Sequence, residues 1–239
     1  MNIKWRYTAG VFILVILFLC VCLYFFINRI KDEQVYFDDW NEAMESPGQV
    51  EVMILRNQNL DKLGKDIQLF TNIRVLNLGN NLLTTLPFEI GNLQKLEELN
   101  LSNNKLQTLP STIGNLKRLK TLNLNRNLFS EIPKEIAGLD SLTTLMMADN
   151  LIREVNLSKQ LQQLSVVDFA DNRITKVSEE MASIKTLQKI DLQNNKLVEM
   201  DKKFFLMPSL LEIILRGNNL DTVTMELYAN YNLRQADKK

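Results

Sequence analysis

The stretch LEELNLSNNKL, Leu96 to Leu106, decides the fold because it returns at regular intervals along the chain. Four strong copies follow one another every 23 residues, and four weaker copies extend the pattern on both sides. Eight in-register copies of L-x-x-L-x-L-x-x-N-x-L predict a stacked solenoid in which each repeat supplies one strand to a curved parallel sheet on the concave face. The copies begin at Val50, Ile73, Leu96, Leu119, Leu142, Leu164, Leu187 and Leu210.

The leucine and asparagine positions of the repeat predict what lies inside this solenoid. Leucines at the fourth, sixth and eleventh positions, such as Leu99, Leu101 and Leu106, are expected to point inward and to stack on the next repeat. Asparagine at the ninth position is expected to satisfy the backbone N–H and C=O groups of the buried turn after each strand. The ninth-position residues are Asn81, Asn104, Asn127, Asn150, Asn172, Asn195 and Asn218, with Gln58 in the first copy.

The rest of each repeat predicts a short helical or irregular outer arc, which makes the fold class an α/β repeat. In the segments LPFEIGNL (86–93), LPSTIGNL (109–116) and IPKEIAGL (132–139), a proline stands at the first position of a helical turn. Later repeats lose this proline. The step from Leu145 to Val167 is 22 residues, which predicts that one residue is missing from the outer arc there.

Segments on either side of the repeats are expected to cover the ends of the core, which a solenoid otherwise exposes. Phe37 and Trp40 have helical spacing before the first repeat, and Leu227 and Tyr228 lie on one side of a short helix after the last. The predicted domains are a transmembrane anchor (1–28), an acidic juxtamembrane segment with a capping helix (29–49), the repeat domain (50–222) and a C-terminal cap (223–239).

The uncharged apolar run from Ala9 to Ile27 predicts an N-terminal transmembrane helix. At about 1.5 Å per residue it is long enough to cross a bilayer core, and it exceeds the apolar region of a cleaved signal peptide. Cys20 and Cys22 lack the small preceding residue typical of a lipidated cysteine, so we interpret them as apolar groups. Lys4 and Arg6 with the terminal amine precede the span and Arg29 and Lys31 follow it, a slight excess that favours a single-pass membrane protein with the repeat domain on the non-cytoplasmic side.

The composition argues against several classes of function. The 239-residue chain contains no histidine, which removes Ser-His-Asp and Cys-His catalysis and imidazole metal sites. Its formal net charge is zero and it has no basic run, so we expect no nucleic-acid partner. Without a phosphate-cradling glycine loop or a nucleophile beside a base, we expect no enzymatic activity and no cofactor.

The repeats resemble the 23-residue leucine-rich repeats of the LP-x-x-I-G-N-L type, which occur in Ras-suppressor and Scribble-like scaffolds and in large bacterial families. The lead-in WNEAMESPGQVEVMILRNQNLDKL, residues 40–63, is similar to that of the bacterial proteins, among which membrane-anchored or exported members are the nearest in pattern. This resemblance implies a protein-binding module without enzymatic activity. It supplies no fixed ligand residues.

Alternate residues of each strand are expected to face the concave side, at the third, fifth and seventh positions. The first half of this face is rich in amides, whereas repeats five to seven combine apolar and acidic side chains. We predict that the acidic zone binds a basic segment of a partner protein; the alternative is a solvated surface. No loop spacing supports calcium binding. The candidate ligand-binding residues are Asn77, Asn100, Asn123, Met146, Asp149, Val166, Asp168, Asp171 and Asp191.

The polar residues of the opening stretch are expected to divide by role. Asn104 belongs to the internal ladder, whereas Asn100 and Ser102 face outward on the concave surface, where changes should alter binding while the fold survives. Asn103, at the exit of the strand, fits either role. The function predicted for the whole chain is a membrane-anchored module that binds a protein or peptide, and the alternatives are a cytosol-facing scaffold or a structural subunit of a membrane complex.

Overall fold

The computed structural model describes residues 36–157 and 160–236, and from Phe37 onward the chain forms one compact unit. The predicted transmembrane run, Ala9 to Ile27, lies outside these residues. Among the residues that are described, no helix has the length and apolar character needed to cross a membrane.

Each of the eight repeats supplies one three-residue strand to a parallel sheet, as the sequence predicts. Neighbouring strands pair without a shift in register, so Leu76 lies beside Leu99 and Leu145 beside Val167 across the 22-residue step. In chain order the strands are β1 (Tyr36–Phe37), β2 (Val52–Ile54), β3 (Val75–Asn77), β4 (Glu98–Asn100), β5 (Thr121–Asn123), β6 (Thr144–Met146), β7 (Glu154–Val155), β8 (Val166–Asp168), β9 (Lys176–Val177), β10 (Lys189–Asp191) and β11 (Glu212–Ile214).

Short 3-10 helices form the outer arc of most repeats. Pro87, Pro110 and Pro133 each stand immediately before such a helix, one residue earlier than predicted, at a point where the missing N–H group of proline is not needed. Glycine lets adjacent arcs touch, because a Cβ atom on Gly91 would lie 2.4 Å from the carbonyl oxygen of Thr112. The outer-arc helices are Lys65–Leu69, Phe88–Asn92, Ser111–Asn115, Lys134–Gly138 and Glu179–Ser183.

The outer arc of the fifth repeat departs from this pattern. Its strand β7 pairs in parallel with β9 of the sixth repeat, and the described residues between Val155 and Val166 contain no helix. The residue missing from the 22-residue step therefore falls in the outer arc, as predicted. A depression of about 800 Å³ opens there, lined in part by Glu131, Arg153 and Glu154, on the side of the solenoid away from the concave face.

The core consists of the leucine positions that the sequence predicts. Leu99, Leu101 and Leu106 are each at most 1% exposed, and their equivalents are buried in the neighbouring repeats. Ile90 and Ile113 of the outer-arc helices close the core from the other side. Because burying one such side chain contributes about 1.5–3 kcal/mol, this repeated set is the main apolar contribution to stability.

A short helix covers the N-terminal end of the core. Asp39 caps the N-terminus of helix α1 (Trp40–Glu45), since its side chain accepts hydrogen bonds from the N–H groups of Asn41 and Glu42 at 2.8 and 2.9 Å. Trp40 packs edge-on against the buried ring of Phe70, with ring centroids 5.3 Å apart. The chain then enters the first repeat through the 3-10 turn Pro47–Gln49.

At the C-terminal end, the long helix α3 (Thr222–Ala236) covers the last repeat, and the short helix α2 (Lys202–Phe205) packs between α3 and the outer-arc helix Glu179–Ser183. Tyr231 of α3 is 2% exposed, and its hydroxyl group donates a hydrogen bond to the carbonyl oxygen of Leu210 at 3.2 Å. The hydroxyl group of Tyr228 donates to Ile213 at 3.1 Å. The helix therefore satisfies backbone carbonyl groups of the last repeat as well as covering its apolar side chains.

Asn104 shows the hydrogen bonds that the ninth position makes. Its Oδ1 accepts from the N–H of Leu83 at 3.0 Å, and its Nδ2 donates to the carbonyl oxygens of Leu78 and Leu101, each at 3.0 Å. One buried amide thus joins the turn of its own repeat to the preceding repeat. The predicted ladder is confirmed, because the same bonds recur at Asn81, Asn127, Asn150, Asn172 and Asn195.

The first copy does not contribute to this ladder, so the place predicted for Gln58 is wrong. Gln58 is exposed, and its side chain donates to the carbonyl oxygen of Asp38 at 2.6 Å. The turn of the first repeat is instead completed by Asn81, whose Oδ1 accepts from the N–H groups of Gln58 and Leu60. At the other end Asn218 keeps the ladder bonds while it is only half-buried.

Replacing Asn104 with alanine should lower the free energy of unfolding by about 2–4 kcal/mol, because the buried N–H of Leu83 loses its acceptor and two further bonds are lost. Urea denaturation followed by circular dichroism measures the change. Asn92→Ala is the matched control, since Asn92 is exposed on the outer arc and should change stability by less than about 0.5 kcal/mol. Equal effects from the two substitutions would contradict a structural role for the ladder.

Candidate functional site

The structure brings the predicted binding residues to one face of the sheet and to its strand exits. Val166 is the first residue of β8, while Asp149 and Asp171 each lie three residues beyond the end of a strand. The other candidates are the half-buried last residues of strands β3, β4, β5, β6, β8 and β10, namely Asn77, Asn100, Asn123, Met146, Asp168 and Asp191. Their role in binding stays a prediction.

Most fifth-position side chains also hold the backbone where the strand ends. Oδ1 of Asn100 accepts a hydrogen bond from the N–H of Ser102 at 2.9 Å, and Asp168 accepts from Ala170 at 3.0 Å. The same bond forms at Asn77, Asn123 and Asp191. Asn100 therefore also supports the local backbone, and only part of its side chain is available to a partner. The expectation that changes at Asn100 alter binding while the fold survives stays a prediction.

In the fifth repeat, a side chain of the preceding repeat accepts the hydrogen bond from the backbone N–H group at the end of the strand. Met146 has no acceptor for the N–H of Ala148, and Oδ1 of Asn125 from the preceding repeat accepts that bond at 2.7 Å. This pairing crosses from one repeat to the next, so the pattern within a single repeat does not reveal it. Met146 is consequently free of a backbone role and presents a half-buried apolar side chain in the middle of the concave face.

Every eighth-position residue adopts a left-handed backbone conformation, with φ between 53° and 70°. Asparagine, aspartate and glycine tolerate this conformation best, which explains why they occupy seven of the eight positions. Asn103 therefore has a backbone role, and so do Asp149 and Asp171. The repeated choice of these residue types is the signal by which sequence reasoning could have found this constraint. The set is Asn57, Asn80, Asn103, Arg126, Asp149, Asp171, Asn194 and Gly217.

In the acidic zone, the surroundings of Asp168 disfavour the charged form of its carboxyl group. Burial raises the pKa of Asp168 above its ordinary value, and the neighbouring carboxylate of Asp191 adds to the increase, while the Ala170 N–H and Lys189 oppose it. Lys189 is itself engaged, because its Nζ lies 2.8 Å from a carboxylate oxygen of Glu212. No cluster of acidic, cysteine or histidine side chains within the described ranges is arranged to hold a metal ion.

Sequence reasoning missed a basic residue at this site. A depression of about 280 Å³ lies along the strand exits of the second to sixth repeats, and it contains Asn123, Asp149 and Asp171 of the predicted set together with Arg126. Nε of Arg126 lies 3.6 Å from Oδ2 of Asp149, with both side chains largely exposed. The depression therefore offers amide, carboxylate and guanidinium groups to a partner, rather than a purely acidic surface.

Comparison with known proteins identifies the family to which the chain belongs. Residues 50–168 match the family model of the leucine-rich repeat region, and the chain belongs to the leucine-rich repeat proteins. The functional domain of InlJ from Listeria monocytogenes, which includes a cysteine ladder, has a TM-score of 0.63 at 24% identity, covering 77% of this chain and 38% of that one. No curated protein matches the sequence significantly.

Two solved complexes share the fold. A plant peptide hormone receptor, RGFR1 in complex with RGF2, has a TM-score of 0.58 at 25% identity, covering 72% of this chain and 33% of the receptor. The TLR13–ssRNA13 complex has a TM-score of 0.68 at 24% identity, covering 78% of this chain and 27% of that one. The present chain thus spans well under half the length of each of these proteins.

Asp168→Asn should stabilise the protein increasingly as pH rises. The folded state binds the Asp168 proton more tightly than the unfolded chain does, so the wild type loses stability as pH rises past the unfolded pKa of about 3.9. The amide keeps an oxygen that can accept from Ala170 and removes the charge. Urea denaturation from pH 3 to pH 7 should show a difference near zero at the acidic end and a growing advantage for the variant. A difference independent of pH would contradict this account.

Proposed function

We propose that the chain is a membrane-anchored binding protein without enzymatic activity, which holds a protein or peptide partner on the concave face of its repeat domain. The observation that carries the proposal is the continuous face of eight in-register parallel strands. With about 4.8 Å between neighbouring strands, this face is roughly 34 Å long, which suits an extended segment or a folded surface. Leucine-rich repeat folds are typically interaction modules, and nothing in the described residues points to catalysis.

One of the two solved complexes supports this type of partner. RGFR1 is found with RGF2, a partner of a peptide hormone receptor, and this establishes for that protein that the fold can serve peptide recognition. TLR13 is found with ssRNA13. For the present chain we propose a protein rather than a nucleic acid, because phosphates require clustered lysine and arginine and the concave face carries Asp168 and Asp191 on the strands of the sixth and seventh repeats.

The partner should carry a basic segment that meets the sixth and seventh repeats. Asp168 and Asp191 are register partners in β8 and β10, and both are half-buried. Burial and the closeness of Asp191 already disfavour the charged form of Asp168. A lysine or arginine from the partner would relieve this repulsion, while Met146 and Val166 beside it would contact apolar parts of the same segment.

The double variant Asp168→Asn/Asp191→Asn tests the basic-segment part of the proposal. Both amides keep an acceptor for the backbone N–H two residues on, so the local fold is preserved while two charges are removed. Affinity capture with the full-length chain in detergent should recover the partner at least about tenfold less efficiently with this variant.

Asp61→Asn/Asp66→Asn is the matched control, since it changes the net charge equally at exposed positions away from the concave face. Undiminished recovery with the concave variant would exclude a role for the two carboxylates in binding. Recovery of one stoichiometric membrane protein would favour the alternative of a structural subunit in a membrane complex.

The membrane part of the proposal rests on the apolar run from Ala9 to Ile27. Deletion of residues 1–28 should release the chain from the membrane fraction. A topology reporter fused after Lys239 should be active on the non-cytoplasmic side, because Lys4 and Arg6 precede the span. Activity on the cytoplasmic side would instead identify a cytosol-facing scaffold.

A further inference from the structure

Arg126 is the one eighth-position residue that is not asparagine, aspartate or glycine. Its φ of 56° places it in the left-handed region, where an arginine is disfavoured by contact between its Cβ and the backbone. Asn80 and Asn103 occupy the same position in the two preceding repeats, so the fold itself is satisfied by a different residue. The repeat therefore does not require an arginine here. Backbone strain is typical of functional positions, and this strained residue lines a surface depression, which points to a role for the Arg126 side chain.

The guanidinium group of Arg126 has a single, loose ion-pair partner among the described residues. Its Nε lies 3.6 Å from Oδ2 of Asp149, and none of the other residues described in the structure forms a hydrogen bond or ion pair with its Nη groups. The side chain is 70% exposed. Its terminal N–H groups are therefore available to a planar acceptor, and a carboxylate matches their geometry with two parallel hydrogen bonds.

The surroundings of Arg126 favour a peptide over an isolated ion. Nδ2 of Asn103 donates to Oδ1 of Asn80 at 3.0 Å, which orients both amides at the rim of the depression. Oδ1 of Asn125 is held by the N–H of Ala148, so its Nδ2 group remains as a donor. Donors and acceptors of this kind suit the N–H and C=O groups of an extended backbone, next to the carboxylate that Arg126 would bind.

We propose that Arg126 recognises a carboxylate of an extended partner peptide in this depression. The inference rests on the proposed function, since it assumes that the concave face binds a peptide, and it adds a second determinant to the basic segment. The partner then carries both charges: a cation over Asp168 and Asp191, and a carboxylate over the fourth repeat. The strands of the fourth and sixth repeats are two spacings, about 10 Å, apart, and residues two apart in an extended peptide point to the same side about 7 Å from each other. The long side chains of Arg126 and of a lysine in the peptide can span the difference, so one segment can present both groups.

The probe is the peptide Ac-Gly-Lys-Gly-Asp-Gly-NH2, titrated into the isotopically labelled full-length chain. The side-chain signals of Asn80, Asn103, Asn125 and Arg126 should shift, with a Kd on the order of 1 mM. Exchanging the aspartate of the peptide for asparagine should weaken binding at least about tenfold, because the bidentate contact is lost. An asparagine peptide with a free C-terminal carboxylate distinguishes a chain terminus from an aspartate side chain as the source of that group.

Two variants of Arg126 distinguish bidentate binding of the carboxylate from the effect of the positive charge and from an effect on folding. Arg126→Lys keeps the charge and should still lose the preference for the aspartate peptide, because lysine cannot form the bidentate contact. Arg126→Asn should lose the preference as well, and it should raise the midpoint of urea denaturation because asparagine tolerates the left-handed conformation. Arg118→Asn, which removes an exposed cation that does not line this depression, is the matched control and should bind both peptides like the wild type.

Each of three results would overturn the inference. They are equal binding of the aspartate and asparagine peptides, an unchanged preference for the aspartate peptide in either Arg126 variant, and the absence of side-chain signal shifts up to about 10 mM peptide. The variant Asp168→Asn/Asp191→Asn keeps the two proposals apart. It should weaken both peptides through their lysine and leave the preference for aspartate intact. No effect of this variant, with the preference retained, would refute the basic-segment proposal while leaving the role of Arg126 supported.

Discussion

The structure depends on one constraint: each repeat turns its backbone inside an apolar core, where an N–H group without an acceptor is costly. The ninth-position amide meets this requirement with a single side chain. Asn104 accepts from Leu83 and donates to Leu78 and Leu101, so the turn, its own strand and the preceding repeat are joined at one point. Leucine packing supplies the stability, and the amide fixes where each layer of leucines lies on the next.

Side chains also satisfy backbone N–H groups on the concave surface, where a partner would bind. Asn100, Asp168 and their equivalents use one side-chain oxygen for a backbone N–H and keep the other polar atom for the concave side. A side chain that is tied in this way loses little freedom when a partner arrives. The face is therefore pre-organised, and recognition would rest on Nδ2 and Oδ2 atoms whose positions the backbone has already set.

The periodic spacing predicts the strands, the leucine core and the asparagine ladder, because each of these follows from one residue type recurring at one position. The sequence did not predict structural features that several residue types can provide at the same position. The left-handed eighth position is occupied by asparagine, aspartate, glycine and Arg126, and the bond from Asn125 to Ala148 crosses between repeats. The alternation along each strand accordingly predicted which face of the sheet carries the candidate residues, whereas the backbone roles of Asp149 and Asp171 became visible only in the structure.

The ladder also has a direction along the chain. Asn104 bonds to Leu78 and Leu83, which belong to the repeat made before it, and Asn127 bonds in the same way to Leu101 and Leu106. A repeat therefore leaves one buried N–H open until its successor has been made. During synthesis from the N-terminus, each newly emerged repeat completes the one before it, so folding of this solenoid can keep pace with the ribosome in the order in which the chain is made.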